Sequence, residues 1–135
     1  MLGTASEANH EFLRGLGAEP LRYGDRLITR VGKAAPKGVD AVIDLIGGET
    51  LKFSFALVAD PERVVSIVDA ETVLGNGGRY VFVRPDAAML AGLSRLVGAG
   101  ELRVIVAETY PLEQAGEAHT RVEAGHVRGK IVLTV

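Results

Sequence analysis

The sequence predicts an α/β fold in which a mostly parallel sheet carries helices on both faces. Three observations carry this reading. Short Val/Ile-rich runs at residues 39–46, 63–68 and 79–84 are apolar at consecutive positions instead of alternating, as in strands buried on both faces. Between the strands, apolar residues return every three or four positions over roughly 8 to 14 residues, the length and period of crossover helices. Glycine or proline stands at nearly every junction.

Taken in order, Ser6 is a good helix N-cap. Ala8, Phe12, Leu13 and Leu16 keep helical spacing to Gly17, so a helix is expected over 7–16. A short apolar patch, Leu21 to Tyr23, follows Pro20. Asp25 is expected to cap a second helix carrying Leu27, Ile28 and Val31, which Pro36 and Gly38 end. Residues 39–46 read Val-Asp-Ala-Val-Ile-Asp-Leu-Ile and close on Gly47-Gly48, the profile of a buried strand. Thr50 opens a helix with Leu51, Phe55 and Val58 on one side, and Pro61 breaks it. Residues 63–68 form the next strand. Residues 69–78 read as a loop ending Gly75-Asn76-Gly77-Gly78, before a strand at 79–84 closed by Pro85. Asp86 caps a helix with Met89, Leu90, Leu93, Leu96 and Val97 up to Gly98. A strand at 102–106, a helix led by Pro111 and stopped by Gly125, and a strand at 130–135 complete the chain. Right-handed crossovers follow from this alternation, and no linker, repeat or domain boundary interrupts it.

The composition narrows the functional classes. The chain has 135 residues, 47% of them hydrophobic and 24% charged, enough for a core. Fifteen Lys and Arg against seventeen Asp and Glu give a charge of -2 without a basic stripe, so no nucleic-acid partner is expected. There is no cysteine, hence no disulfide, thiol nucleophile or Cys-ligated metal. Apolar runs fall far short of the roughly 20 residues of a membrane span, and the N-terminus has no targeting pattern. The expectation is a cytoplasmic protein with no membrane partner.

Motifs give no catalytic constellation by themselves. A phosphate-binding turn needs its glycines between a strand and a helix N-terminus, whereas Gly75-Asn76-Gly77-Gly78 precedes a strand. Gly15-Leu16-Gly17 and Gly98-Ala99-Gly100 are helix stops, and no Gly-Lys-Ser/Thr sequence occurs. His10, His119 and His126 lack a second ligand at metal spacing. Ser54, Ser66 and Ser94 lack a nucleophile elbow. Asp40 and Asp44 share a strand face, with Asp40 at the strand's mouth.

Several segments together nevertheless resemble a known family. Gly3-Thr4-Ala5-Ser6, Phe12-Leu13-Arg14-Gly15-Leu16-Gly17-Ala18 and the run from Gly38 to Glu49 are similar to the later part of a nucleotide-binding domain. Arg63 to Ile67, Tyr80 to Asp86 and Gly125 to Leu133 extend the likeness over essentially the whole chain. The chain resembles the medium-chain dehydrogenase/reductase superfamily, in its zinc-independent quinone oxidoreductase branch. The resemblance implies a partial Rossmann-type domain over 1–135 with the family's C-terminal tail. The GroES-like domain, the first strand, the Gly-rich turn and the first helix have no counterpart in these residues. Residues 1–5 would then be the family's second strand.

The resemblance also implies roles. NADPH is the expected cofactor, with NADH possible and no metal. Ser6 would meet the ribose 2′-phosphate with His10 as its basic helper, and Tyr23 would flank the adenosine end. Ile67, Val68, Phe82 and Val83 would line the nicotinamide side, and Lys130 matches a frequent lysine near the cofactor or an interdomain contact. No catalytic side chain carries over, because the cofactor supplies the reactivity. Two readings stay open. One is a portion of an NAD(P)H-dependent quinone or enone reductase that needs a companion N-terminal half. The other is a non-catalytic module that dimerises through the strand at 79–84.

Overall fold

Every strand pair in the chain is parallel, as helical crossovers require. The computed structural model describes all residues Met1–Val135, which divide into two compact units, Met1–Val83 and Arg84–Val135.

The first unit holds two separate small sheets. Strand β1 (Leu2–Ala5) pairs with β2 (Glu19–Arg22) in the register Leu2↔Glu19 to Ala5↔Arg22. Between them a tight turn at Glu7–Asn9 leads into α1 (His10–Gly15). Gly17 ends the crossover at φ 79°, the left-handed conformation for which glycine carries no steric penalty. Helix α2 (Leu27–Ala34) follows β2. Asp25 does not cap it: the cap position is Arg26, held at φ 62° with no side-chain capping bond.

The second sheet runs β3 (Val42–Asp44), β4 (Val64–Ser66), β5 (Arg79–Tyr80), with β4 in the middle. Helix α3 (Gly48–Ser54) connects the first pair, and Asp60 caps the short turn Pro61–Arg63 ahead of β4 through Glu62 N. The core here is Leu51, Val64 and Val73, all fully buried, with Val42, Phe55, Val58 and Tyr80 packed against them.

Four further expectations change in this unit. Residues 69–78 are not a loop throughout, because Asp69 accepts a bond from Thr72 N and caps helix α4 (Ala70–Gly75). The Gly-rich ending disguised this helix, but Gly78 has a packing reason. A Cβ there would lie 2.7 Å from Val64 O and 2.7 Å from Val73 Cγ2. The strand expected at 79–84 pairs only over two residues, after which Val81 N still donates to Ser66 O. Ser6 sits at the cap position of the first turn, yet its side chain makes no capping bond. Finally, the run 39–46 pairs only as β3 and is not buried on both faces: Ile43 in β3 is 73% exposed, and Leu45 and Ile46 after it are 59% and 76% exposed. Its sole ladder partner is β4, so the opposite edge has no neighbour.

In the second unit, Asp86 caps α5 (Ala87–Gly98) by accepting from Met89 N at 2.8 Å, as expected. Its apolar residues Met89, Leu90, Leu93, Leu96 and Val97 are exposed. Residues 102–105 carry no strand. The pairing strand is instead β6 (Val106–Pro111), which forms a ladder with β7 (Lys130–Thr134) through an irregularity between Val106 and Glu108. Pro111 ends β6, and α6 (Ala115–Glu123) returns the chain after a tight turn.

Candidate functional site

In an open parallel sheet, the loops leaving the carboxyl ends of the strands are where ligands bind, because those loops converge and helix N-termini face them. Two such regions are built in the first unit.

The first lies beyond β1 and β2. Ser6 follows β1 directly, Arg22 is the last residue of β2, and Tyr23 and Gly24 follow it. Together with Glu7, Asp25 and Arg30 they line an open cleft of about 620 Å³. Arg30 reaches back from α2 and fixes the turn. Its Nε donates to Arg22 O at 2.9 Å, and its Nη2 donates to Tyr23 O at 3.3 Å and Gly24 O at 3.5 Å. Arg22 Nη1 donates to Glu7 Oε1 at 3.3 Å, an exposed pair. Ser6 Oγ accepts from Asn9 Nδ2 at 3.3 Å, which leaves its own proton free for an acceptor in the cleft. A neighbouring cavity of about 460 Å³ shares Asp25 and has an apolar wall of Leu27, Ile28 and Phe53.

Of the expected residues, Ser6 and Tyr23 meet in this cleft. His10 does not line it. Its Nε2 lies 3.3 Å from Ala5 O, so the imidazole is tied to the end of β1. Arg22 and Arg30 were not singled out from the sequence. The signal was a basic residue at the end of a short strand and another one helical turn into α2.

The second region lies beyond β3, β4 and β5, and a buried polar network shapes it. Asp44, 5% exposed, accepts from Ser66 Oγ at 2.7 Å, from Gly47 N at 3.0 and 3.1 Å, and from Ile46 N at 3.3 Å. Ser66 Oγ, fully buried, accepts in turn from Val68 N and Asp69 N, each at 3.1 Å. Asp69 accepts from Thr72 N at 3.0 Å and from Gly48 N at 3.4 Å, which joins the loop after β4 to the loop after β3. The Thr72 bonds are the main reason the Asp69 carboxyl titrates below the ordinary carboxylate range. Gly47, at φ 80°, passes close to this loop: a Cβ there would stand 3.2 Å from Asp69 Cβ and 3.6 Å from Val68 Cγ1. Asp44 is therefore not half of an acid–base pair with Asp40, which is exposed. Its partner is a serine on the next strand.

Ile67 and Val68 leave β4 at about half exposure, and Phe82 and Val83 follow β5 at 71% and 73%. Both pairs follow the carboxyl ends of adjacent strands. Lys130 opens β7 in the second unit, exposed, with its backbone N donating to Ile105 O. No helix is long and apolar enough to cross a membrane.

Comparison with known proteins agrees with this geometry. The sequence model of one family, described as zinc-binding dehydrogenase, matches residues 16–133. A protein of Arthroderma benhamiae named "Probable zinc-binding oxidoreductase, mitochondrial" is 28% identical over 100% of this chain and 44% of its own length. The protein named "NAD(P)H oxidoreductase RTN4IP1, mitochondrial" of Danio rerio is 28% identical over 98% of this chain and 42% of its own. The solved structure of the quinone oxidoreductase from Coxiella burnetii superposes with a TM-score of 0.82 and 32% identity, covering 98% of this chain and 44% of that one. The chain thus spans less than half the length of the relatives it matches. The zinc in the family's description finds no donor set here, since no three His, Asp or Glu side chains converge. The chain belongs to the zinc-binding dehydrogenase family, within the medium-chain dehydrogenase/reductase superfamily of oxidoreductases, and corresponds to the later, Rossmann-type part of its members.

Proposed function

We propose that the chain is the greater part of the nucleotide-binding domain of an NADPH-dependent oxidoreductase that reduces a quinone or a conjugated enone, NADH being the weaker cofactor. The observation that carries this reading is the cleft beyond β1 and β2. There a serine hydroxyl, a tyrosine ring and two guanidinium groups stand together at the carboxyl ends of parallel strands, beside an apolar wall suited to a purine base. Ser6 and Tyr23 take the ribose phosphate and adenosine end, with His10 steadying the end of β1. The bound dihydronicotinamide supplies the hydride. The chain's part is to orient that ring between Ile67 and Val68 on one strand end and Phe82 and Val83 on the next; a role for Lys130 rests on the family resemblance alone. Asp44, Ser66 and Asp69 hold the loops in place.

The same reading assigns residues 1–135 to one domain completed by a companion N-terminal half. Its support is the surface left bare. Neither β1 nor β3 pairs on its second edge, and unpaired parallel edges flanked by Ile43, Leu45 and Ile46 call for another strand. The compartment proposed is the cytoplasm, on the balanced charge alone.

The test is turnover of reduced nicotinamide with a quinone and with an enone, using this chain alone and mixed with a companion polypeptide carrying a Gly-rich strand-turn-helix. Activity only in the mixture supports the reading, and a stable complex without turnover sinks it. One observation favours a second reading, a non-catalytic module that self-associates. Val81, Phe82 and Val83 extend the free edge of β5 and are exposed. A concentration-dependent dimer in sedimentation, lost in Phe82→Lys and accompanied by no cofactor binding, would decide for it.

A further inference from the structure

The joint between α4 and β5 holds a chemically labile pair of residues. The helix stops in a Schellman arrangement, in which Gly77 N donates to Leu74 O at 3.1 Å and Gly78 N donates to Val73 O at 2.8 Å. That arrangement puts Gly77 at φ 80°, where glycine carries no steric penalty. The residue before it is Asn76, exposed, whose Nδ2 donates to Thr72 O at 2.8 Å and covers another carbonyl of the last turn. Asparagine is a thermolabile residue, and a following glycine has no side chain to shield its backbone nitrogen from the carboxamide. Beyond this pair the chain has no slack. A Cβ on Gly78 would stand 2.7 Å from both Val64 O and Val73 Cγ2, and Arg79 and Tyr80 pair at once with Val65 and Ser66.

We propose that Asn76 is a site of spontaneous deamidation, held back by the closed end of α4, and that its isoaspartyl product releases β5 from β4. In the reaction Gly77 N attacks Asn76 Cγ. The new C–N bond closes a succinimide ring, the bond from Cγ to Nδ2 breaks, and ammonia leaves with the proton of the Gly77 amide. Water, the only co-reactant, then opens the ring. Opening at Cγ gives aspartate in an ordinary chain, and opening at the main-chain carbonyl carbon gives isoaspartate, in which the chain runs through Cγ. In the folded protein both reacting groups are occupied, the nucleophile by Leu74 O and the carboxamide by Thr72 O. The reaction therefore proceeds from the open form of this helix end, and its rate follows the population of that form. Isoaspartate adds one carbon to the main chain just before Gly78, where the packing against Val64 and Val73 and the pairing of Arg79 leave no room for it. Either product also replaces the Nδ2 donor with a carboxylate that faces carbonyl oxygens.

The experiment incubates the full chain at mildly alkaline pH, in buffer and in guanidinium chloride, and follows residue 76 by peptide mass spectrometry with enzymatic methylation of isoaspartate. Asn76 is expected to convert at least about tenfold more slowly in buffer than in denaturant. Asp69→Ala removes the cap that accepts from Thr72 N. It should speed conversion in buffer about fivefold, the worth of one cap, and leave the rate in denaturant unchanged. Asp69→Ser keeps a capping oxygen and should restore the slow rate. The isoaspartyl form, separated by chromatography, should unfold at lower urea than Asn76→Asp, which carries the same charge on a main chain of ordinary length. Equal wild-type rates in buffer and denaturant, no conversion in denaturant, or an unchanged rate for folded Asp69→Ala in buffer overturn the proposal. Should Asp69→Ala not fold, the wild-type comparison decides alone. An isoaspartyl form as stable as Asn76→Asp overturns the release of β5.

Discussion

Replacing Asp44 with alanine removes the acceptor at the centre of the polar network beneath the strand ends. Three donors lose their partner: Ser66 Oγ at 2.7 Å, Gly47 N at 3.0 Å and Ile46 N at 3.3 Å. Ser66 and Gly47 are buried, so water cannot replace the carboxylate without opening the loops. Each stranded buried donor costs about 1–3 kcal/mol. Ile46 is exposed and adds little, so the loss should be about 2–6 kcal/mol. Asp44→Asn keeps one carbonyl oxygen and should cost about 1–2 kcal/mol by the same count. Urea unfolding followed by circular dichroism reads the difference. With a slope of about 1–3 kcal/mol per molar urea, a 3 kcal/mol loss moves the midpoint by about 1–3 M. Ser66→Ala in a double-mutant cycle with Asp44→Ala should be strongly non-additive, because both act through one bond. A midpoint for Asp44→Ala within error of the wild type would refute the view that this network holds the loops.

Other positions are equally exposed to test. Gly78→Ala should destabilise by about 1–3 kcal/mol in the same assay, since its Cβ would meet the backbone oxygen of Val64 and cannot be accommodated by a side-chain shift. Arg26→Gly should instead stabilise by about 0.5–1 kcal/mol, because a residue at φ 62° gives up its steric penalty. Residues 84–135 should show stability that falls on both sides of a neutral plateau. Glu108 titrates below its ordinary range because the Tyr110 hydroxyl donates to it at 2.7 Å, aided by Arg121 Nε at 2.8 Å. Its contribution is complete above the ordinary glutamate pKa and is lost as pH falls through the depressed folded value. Tyr110 is raised by the same bond, so its contribution is complete below the ordinary tyrosine pKa and is lost as pH rises through the raised folded value. Thermal melts across pH should lose the alkaline fall in Tyr110→Phe.

The elements that were legible from the sequence are those whose ends are chemically marked. Asp86 before α5 and Gly17 after α1 act as their residue types dictate, whereas α3 ends at Ser54, well before Pro61, which opens a turn of its own. What escaped did so for identifiable reasons. Helix α4 is only six residues long and ends in glycines, so its apolar period is too short to register, although its Asp69 cap was readable. The run at 39–46 is apolar enough for a strand covered on both sides, and only the structure shows that one edge lacks a neighbour. The cleft was half visible. Ser6 and Tyr23 could be placed by resemblance, but Arg22 and Arg30 come together through the turn after β2, a relation that spacing along the chain does not announce. The Asp44–Ser66 bond joins residues 22 apart, across two strands whose register had to be known first.

The most direct measurement is a calorimetric titration of NADPH and of NADH into this chain. The account predicts saturable micromolar binding of NADPH, tighter than NADH, and weakened by Arg22→Gln. Millimolar or absent affinity for both cofactors would contradict it, and would leave the chain as a fold of the family without its ligand.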